Sequence, residues 1–322
     1  MTYSRRTLLI GAGQVWMSRY MIASTSFSEF LLPVVLGNAP LASCENGAIA
    51  FIDGDLRTVV IVDLLGKVIG KVTPHIAGAT MERVLSVAIS SDRKIAFSVY
   101  GRDAADRYAT FIVLAECFDK QLGVVLAYPF AIGRLTFLPN GDLLALGKEH
   151  DASYMEIPGH NVLRYYDSHG ALKKTALNVT AAKAGSHLHP LNYRFLPAID
   201  RIGLLDLEGK RYGEIDFEGK ILTPMEDIGI EKSSRVTGLA RLPNGDRLVT
   251  IDRPRSSGKI LHYGYDCEVA QISGSGNGPR TIIPRPDLLP LDGRSFVSAL
   301  GCYDGKLILI GRNPDRLILH EV

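Results

Sequence analysis

The sequence predicts an all-β fold: six blades of four antiparallel strands, closed into a ring by an N-terminal strand. Three observations predict it. A short apolar run, a Leu-Pro-Asn-Gly turn and a second apolar run recur nearly unchanged at 134–147 (RLTFLPNGDLLALG) and 239–251 (LARLPNGDRLVTI). Fainter copies of the same hairpin stand at 41–52, 87–98 and 299–310. The strand arithmetic then leaves one strand over at the start of the ring and one missing at its end.

Each hairpin has a local cause. Asn-Gly accepts positive φ cheaply, so Asn140-Gly141 and Asn244-Gly245 are both expected there. Pro139 and Pro243 preset φ where the turn begins. The flanks are short and rich in Val, Ile, Leu and Phe, which favours strands over helices. One such hairpin cannot bury its faces alone, and several copies about 40 to 60 residues apart are how a propeller looks in sequence.

The elements follow in chain order. Residues 1–27 form a leader, and 28–322 a single β-propeller domain. EFLLPVVLG at 29–37 reads as a strand without a hairpin partner. Blade one takes 41–44, 48–53, 58–62 and 67–72; blade two takes 85–89, 94–100, 109–115 and 123–127. Blade three takes 134–138, 142–147, 161–166 and 171–176; blade four takes 192–196, 201–207, 210–216 and 220–224. Blade five takes 236–242, 246–252, 259–263 and 268–273. Blade six has only 296–302, 306–311 and 316–322. Setting 29–37 beside 316–322 completes the sixth blade and hides both edges, as an all-β ring must.

Composition narrows the function classes. The chain has 322 residues, 46% hydrophobic and 22% charged, which is ordinary globular chemistry. A net charge of +2 gives no global field for nucleic acid. No apolar run reaches the roughly 18 residues of a membrane span. A monomer is expected. Ser4-Arg5-Arg6-Thr7-Leu8-Leu9 ahead of an apolar run resembles a twin-arginine export signal, so an exported, periplasmic location is expected, with the cytoplasm as the alternative. Cys44, Cys117, Cys267 and Cys302 form no C-x-x-C pair. Cys44 and Cys302 fall where the strong repeats carry Leu138 and Leu242, which reads as buried apolar thiols.

The run Asn46-Gly47, then Asp53, then Asp63-Leu64-Leu65-Gly66-Lys67, echoed by Asn244-Gly245 and Asp252, resembles the NHL-type six-bladed β-propellers. The resemblance covers roughly 29–322 and is carried by blades one, three and five. It implies the fold. Relatives of that type include ligand-binding modules, scaffolds, lyases and hydrolases, so it does not imply one activity.

The short turns all fall on one face of such a ring. The long connections, at 101–108, 148–160, 178–191, 226–235, 253–258 and 274–295, fall on the other, and function tends to sit on long loops held by a rigid scaffold. The elaborated face is expected to carry the site. Five histidines lie on or beside it: His75, His150, His160, His187 and His189. His187 and His189 alternate, and with His160 they are the candidate ligands of a divalent metal, the one cofactor the sequence suggests. Arg102, Arg107, Arg235, Arg253 and Arg294, with Arg255 and Arg285, are candidates for holding carboxylate or phosphate, or for pairing with nearby acids. Glu149 and Asp151 are candidates for acid–base work. Gly274-Ser275-Gly276-Asn277-Gly278 leads to no helix, so it is no phosphate loop, and G-x-S-x-G, H-E-x-x-H and Walker motifs are absent. The expected function is therefore binding of a small anionic ligand or a protein partner by the long-loop face. A metal-assisted lyase or hydrolase on that face is the alternative.

Overall fold

The computed structural model describes residues 27–32, 42–45, 47–116, 120–178, 193–198, 200–242, 244–254, 265–272, 279–283, 297–311 and 315–321. Among them all regular structure is strand, and no helix is long and apolar enough to cross a membrane.

Six four-stranded antiparallel sheets make the blades. Blade one is β2 (Ala42–Glu45), β3 (Ala48–Ile52), β4 (Val59–Asp63) and β5 (Val68–Val72). Blade two is β6 (Thr80–Ile89), β7 (Lys94–Arg102), β8 (Tyr108–Glu116) and β9 (Gln121–Leu126). Blade three is β10 (Phe130–Phe137), β11 (Leu143–Glu149), β12 (Asn161–Tyr166) and β13 (Leu172–Asn178). Blade four is β14 (Tyr193–Pro197), β15 (Ile202–Asp206), β16 (Arg211–Ile215) and β17 (Ile221–Asp227). Blade five is β18 (Arg235–Arg241), β19 (Arg247–Pro254), β20 (Tyr265–Ile272) and β21 (Arg280–Ile283). Blade six is β22 (Val297–Tyr303), β23 (Lys306–Gly311) and β24 (Arg316–Glu321), completed by β1 (Phe27–Leu31). The inner strands β2, β6, β10, β14, β18 and β22 touch in a closed cycle, which makes the sheets a propeller.

Ring closure by the N-terminal strand is direct. β1 pairs β24 from Phe27↔His320 to Leu31↔Arg316, and the buried Arg316 binds Glu29 at 2.6 Å. The closing strand starts two residues before the expected 29; residues 33–37 of that reading lie outside the described residues. Blade five departs from expectation further. Of the stretch 268–273, read as its outer strand, residues 268–272 belong to its third strand, and Arg280–Ile283 is the outer one. The stretch 259–263 lies outside the described residues.

Blades stack face to face, so inner strands are buried on both sides and read as continuous apolar runs. The period of two then divides each strand between two cores. Ala48, Ala50 and Ile52 pack on blade two with Val84, Phe97 and Phe111, while Ile49 and Phe51 pack on blade six with Ile308 and Leu317. Six such inter-blade clusters run round the ring.

The turns explain their sequences. Leu138 C=O accepts from Gly141 N–H at 2.9 Å, and Gly141 has φ +83. Gly245 has φ +91 in the matching turn, yet neither Asn140 nor Asn244 is left-handed. This corrects the expectation for the asparagines: Pro at the first central position sets a type I turn, so the left-handed residue is the one after it. Asn140 and Asn244 instead accept the amide of Asp142 and Asp246 at 3.0 Å.

A second turn recurs. Asp63 accepts from Gly66 N–H on its carbonyl, and its Oδ1 takes the amides of Leu65 and Lys67. Gly66 sits at φ +74. The turns at Asp167 and Asp216 repeat it, with Gly170 and Gly219 in the left-handed place.

The short-turn face also carries an inter-blade lock. The buried Glu214 of blade four meets Arg201 at 3.1 Å, Tyr212 Oη at 2.9 Å, and Arg247 and Arg241 of blade five at 3.4 and 3.6 Å. Burial pushes its carboxyl up, but Arg201, Tyr212 and Arg247 pull it down further, and it ends below the usual carboxylate range. Among the described residues Cys267, buried, and Cys302, half-buried, form no disulfide.

Candidate functional site

Between blades two and three, on the long-loop face, the chain leaves a cleft of about 380 Å³. Its walls are Tyr100 from β7, Tyr108, Ala109 and Thr110 from β8, Tyr128-Pro129 from the crossing to blade three, Phe130 and Ala131 from β10, and His150 and Tyr154 from the β11–β12 connection. Register brings the first two rings together: Tyr100 pairs with Thr110, which sets Tyr108 diagonally across on the same face. Their rings stack at 5.4 Å and 7°. Thr110 ties the floor, donating to Phe130 C=O at 2.8 Å and accepting from Ile132 N–H at 3.1 Å.

The far wall is a short loop with its own bracing. Ile157 N–H donates to Glu149 C=O at 2.9 Å, His150 N–H to Pro129 C=O at 3.0 Å, and Lys148 binds Glu156 at 2.6 Å. Burial pushes the His150 ring below its ordinary value against the pull of Glu156.

The tip of this loop repeats the Asp turn of the short-turn face. Asp151 C=O accepts from Tyr154 N–H at 3.0 Å, and its Oδ1 takes the amides of Ser153 and Met155. Here the glycine place is filled by Tyr154, at φ +61. A bulky left-handed residue costs about 1–2 kcal/mol, and such strain collects at functional sites. The Tyr154 ring meets Tyr108 edge-on at 5.7 Å, and its Oη accepts from Tyr108 N–H at 3.0 Å. The β7–β8 connection repeats the substitution: Asp103 makes the turn and Asp106, at φ +59, holds the glycine place. Asp106 uses it to grip Arg102 with both oxygens at 3.1 Å.

The candidate residues named from sequence fall as follows. Arg102 lies 4.3 Å over the Tyr108 ring, and Arg107 lies 4.8 Å over Tyr128 while bound to Asp103 at 2.6 Å. Arg235 opens β18 opposite Asp252, away from this cleft. Arg253 lies in β19, bound to Glu268 at 2.7 Å. Arg255, Arg285 and Arg294 lie outside the described residues. His160 is buried; its Nδ1 bonds Ile157 C=O at 2.6 Å, and among the described residues its Nε2 has no hydrogen-bond partner. His187 and His189 lie outside the described residues. Among the described residues no three potential metal ligands converge. Glu149 pairs with Arg164 at 3.4 Å and Asp151 is spent on its turn. Gly274–Gly278 lies outside the described residues. The tyrosines are what sequence reasoning missed. The signal open to it was an aromatic at each mouth of the 101–107 connection.

No family model and no curated protein matches the chain. Solved structures do. A protein from Bacteroides fragilis NCTC 9343, provisionally described as exported, superposes with a TM-score of 0.58 at 11% identity, over 95% of this chain and 97% of that one. A protein of unknown function from Bacteroides thetaiotaomicron VPI-5482 gives 0.53 at 10% identity, over 92% and 77%. A gluconolactonase from Xanthomonas campestris gives 0.48 at 12% identity, over 89% and 88%, too low a score to carry an argument. Identities at this level show the fold alone. The NHL likeness therefore rests on its turn motifs, and what the comparisons add to the geometry is that the chain is a six-bladed β-propeller.

Proposed function

We propose that this propeller is a binding module that takes a small ring-bearing ligand in the cleft between blades two and three. The observation that carries this is the Tyr154 ring, held edge-on to Tyr108 at 5.7 Å from a left-handed place that glycine fills in the Asp63, Asp167 and Asp216 turns and that Leu56, Arg93 and Asp106 fill elsewhere. Nothing in the turn itself requires that side chain. Its ring completes an aromatic wall around a space of about 380 Å³, within the usual span for ligand pockets of about 300–1,000 Å³. Tyrosines supply broad apolar contact with few rotamers to freeze. Docking of a protein partner on the same face gains support from the exposed Met155 and Ile157 beside the cleft.

A metal-assisted activity would draw on His160, whose Nδ1 is tied to a backbone carbonyl while Nε2 is left over, as metal-ligating histidines commonly are. It would need His187 and His189 as well. Export is proposed from Arg5-Arg6 and the apolar run after it; the Bacteroides fragilis neighbour described as exported fits this reading.

Calorimetry with a panel of monocyclic and bicyclic aromatic and sugar ligands tests the cleft. Binding by the native chain and its loss in Tyr108→Ala, with the melting transition still cooperative, is the expected result. Binding that Tyr108→Ala leaves intact would move the site elsewhere.

A further inference from the structure

We infer that the ligand of this cleft is a planar carboxylate, its ring among the tyrosines and its carboxylate on Arg83 and Arg107, which lie over the lining residues Tyr100 and Tyr128. This rests on the ligand-binding reading above and names the chemistry of the ligand.

The first reason is that the cleft's acceptors are spent. Asp106 is taken by Arg102, Asp103 by Arg107 at 2.9 and 2.6 Å, and Glu156 by Lys148. Glu82 lies 3.6 Å from Arg102 Nε. The backbone carbonyls of Pro129, Phe130 and Thr110 already accept from His150, Thr110 Oγ1 and Ala127. A ligand rich in donors would find few partners.

The second reason is that donors are left over. Arg83 is exposed, and its side chain makes no ion pair or hydrogen bond among the described residues; its guanidinium rests 5.7 Å over the Tyr100 ring. Arg107 uses Nε and Nη2 on Asp103 and keeps Nη1. The hydroxyls of Tyr100 and Tyr128, both lining the cleft, also have no hydrogen-bond partner among the described residues. A guanidinium presents a fork of donors that suits the two oxygens of a carboxylate.

The third reason removes the opposite class. Four tyrosines round a cleft would suit a quaternary ammonium if their faces were free. Three of these rings already carry a guanidinium: Arg83 on Tyr100, Arg102 on Tyr108, Arg107 on Tyr128. A further cation would meet ring faces already used by guanidinium groups and the uncompensated charge of Arg83.

Three probes of one shape separate the outcomes: 2-naphthoate, 2-naphthamide and trimethyl(2-naphthylmethyl)ammonium, titrated into the full chain by calorimetry at pH 7.5. The expected order is naphthoate at least tenfold tighter than the amide, with the ammonium weakest. Arg83→Ala should bring naphthoate down towards the amide. Because Arg83 is exposed on β6, a preserved melting temperature is expected to accompany that loss. Equal affinity for acid and amide, or tightest binding of the ammonium, would overturn the inference while leaving the cleft reading standing. A naphthoate preference that survives Tyr108→Ala would overturn it too, since the anion would then sit elsewhere. If the folded chain binds none of the three, the ligand-binding reading falls and this inference with it.

Discussion

Replacing Tyr154 in steps separates what its side chain gives from what its backbone costs. Tyr154→Phe removes only the Oη that accepts from Tyr108 N–H, an exposed hydrogen bond worth about 1 kcal/mol or less. Tyr154→Ala also removes the edge-on contact with Tyr108 at 5.7 Å, worth about 0.5–1.5 kcal/mol, and keeps the left-handed backbone. The expected total is about 2 kcal/mol. Tyr154→Gly loses the same contacts but relieves a strain of about 1 kcal/mol, so it should be more stable than the alanine variant. In an ordinary loop Gly is the less stable of the two, so the order inverts. Denaturant midpoints at constant slope read these differences. In parallel, ligand affinity should hold in the Phe variant and fall in both Ala and Gly. A glycine variant less stable than the alanine one would refute the strain argument, and unchanged affinity in both would refute the role of the ring.

Removing residues 1–31 strips β1 from β24 and leaves Arg316 without Glu29; the truncated chain should aggregate in light scattering, whereas removal of 1–26 should leave a soluble ring. A soluble, cooperatively melting 32–322 chain would count against closure. The Glu214 lock predicts a pH dependence. Its carboxyl is held low in the fold, so its stabilisation is present at neutral pH and is lost as pH falls from the ordinary glutamate range down through the lower folded value. Glu214→Gln should lower the melting temperature at pH 7 and flatten its decline on acidification; parallel pH profiles for the two proteins would contradict this.

Much of the ring was legible because its signals are local. Leu-Pro-Asn-Gly and Asp-x-x-Gly turns name their own geometry, and the unpaired strand near the N-terminus pointed to closure before Phe27–Leu31 was seen beside β24. Blade five was misread because two apolar stretches followed β19 in quick succession. The true outer strand is only four residues long and follows a glycine-rich stretch that resembles an ending. The cleft was not legible. Its aromatic residues come from Tyr100, Tyr108, Tyr128, Phe130 and Tyr154, at no fixed spacing, and only strand register and blade stacking unite them. The Asp151 turn was hidden for a related reason. Asp151-Ala152-Ser153-Tyr154 lacks the glycine that marks its siblings, and the residue that conceals the turn is the one that lines the cleft. The arginines were legible as residues but not as arrangements. Arg102 and Arg107 proved to be stacked on tyrosines and gripped by acids four residues on or before.

The claim that the cleft is the binding site is tested most directly by crystallographic soaking with a set of ring-bearing fragments. The account predicts that bound rings concentrate between blades two and three, against Tyr108, Tyr128 and Tyr154. Fragments gathered in the central channel or on the short-turn face, with the tyrosine cleft left bare, would contradict it.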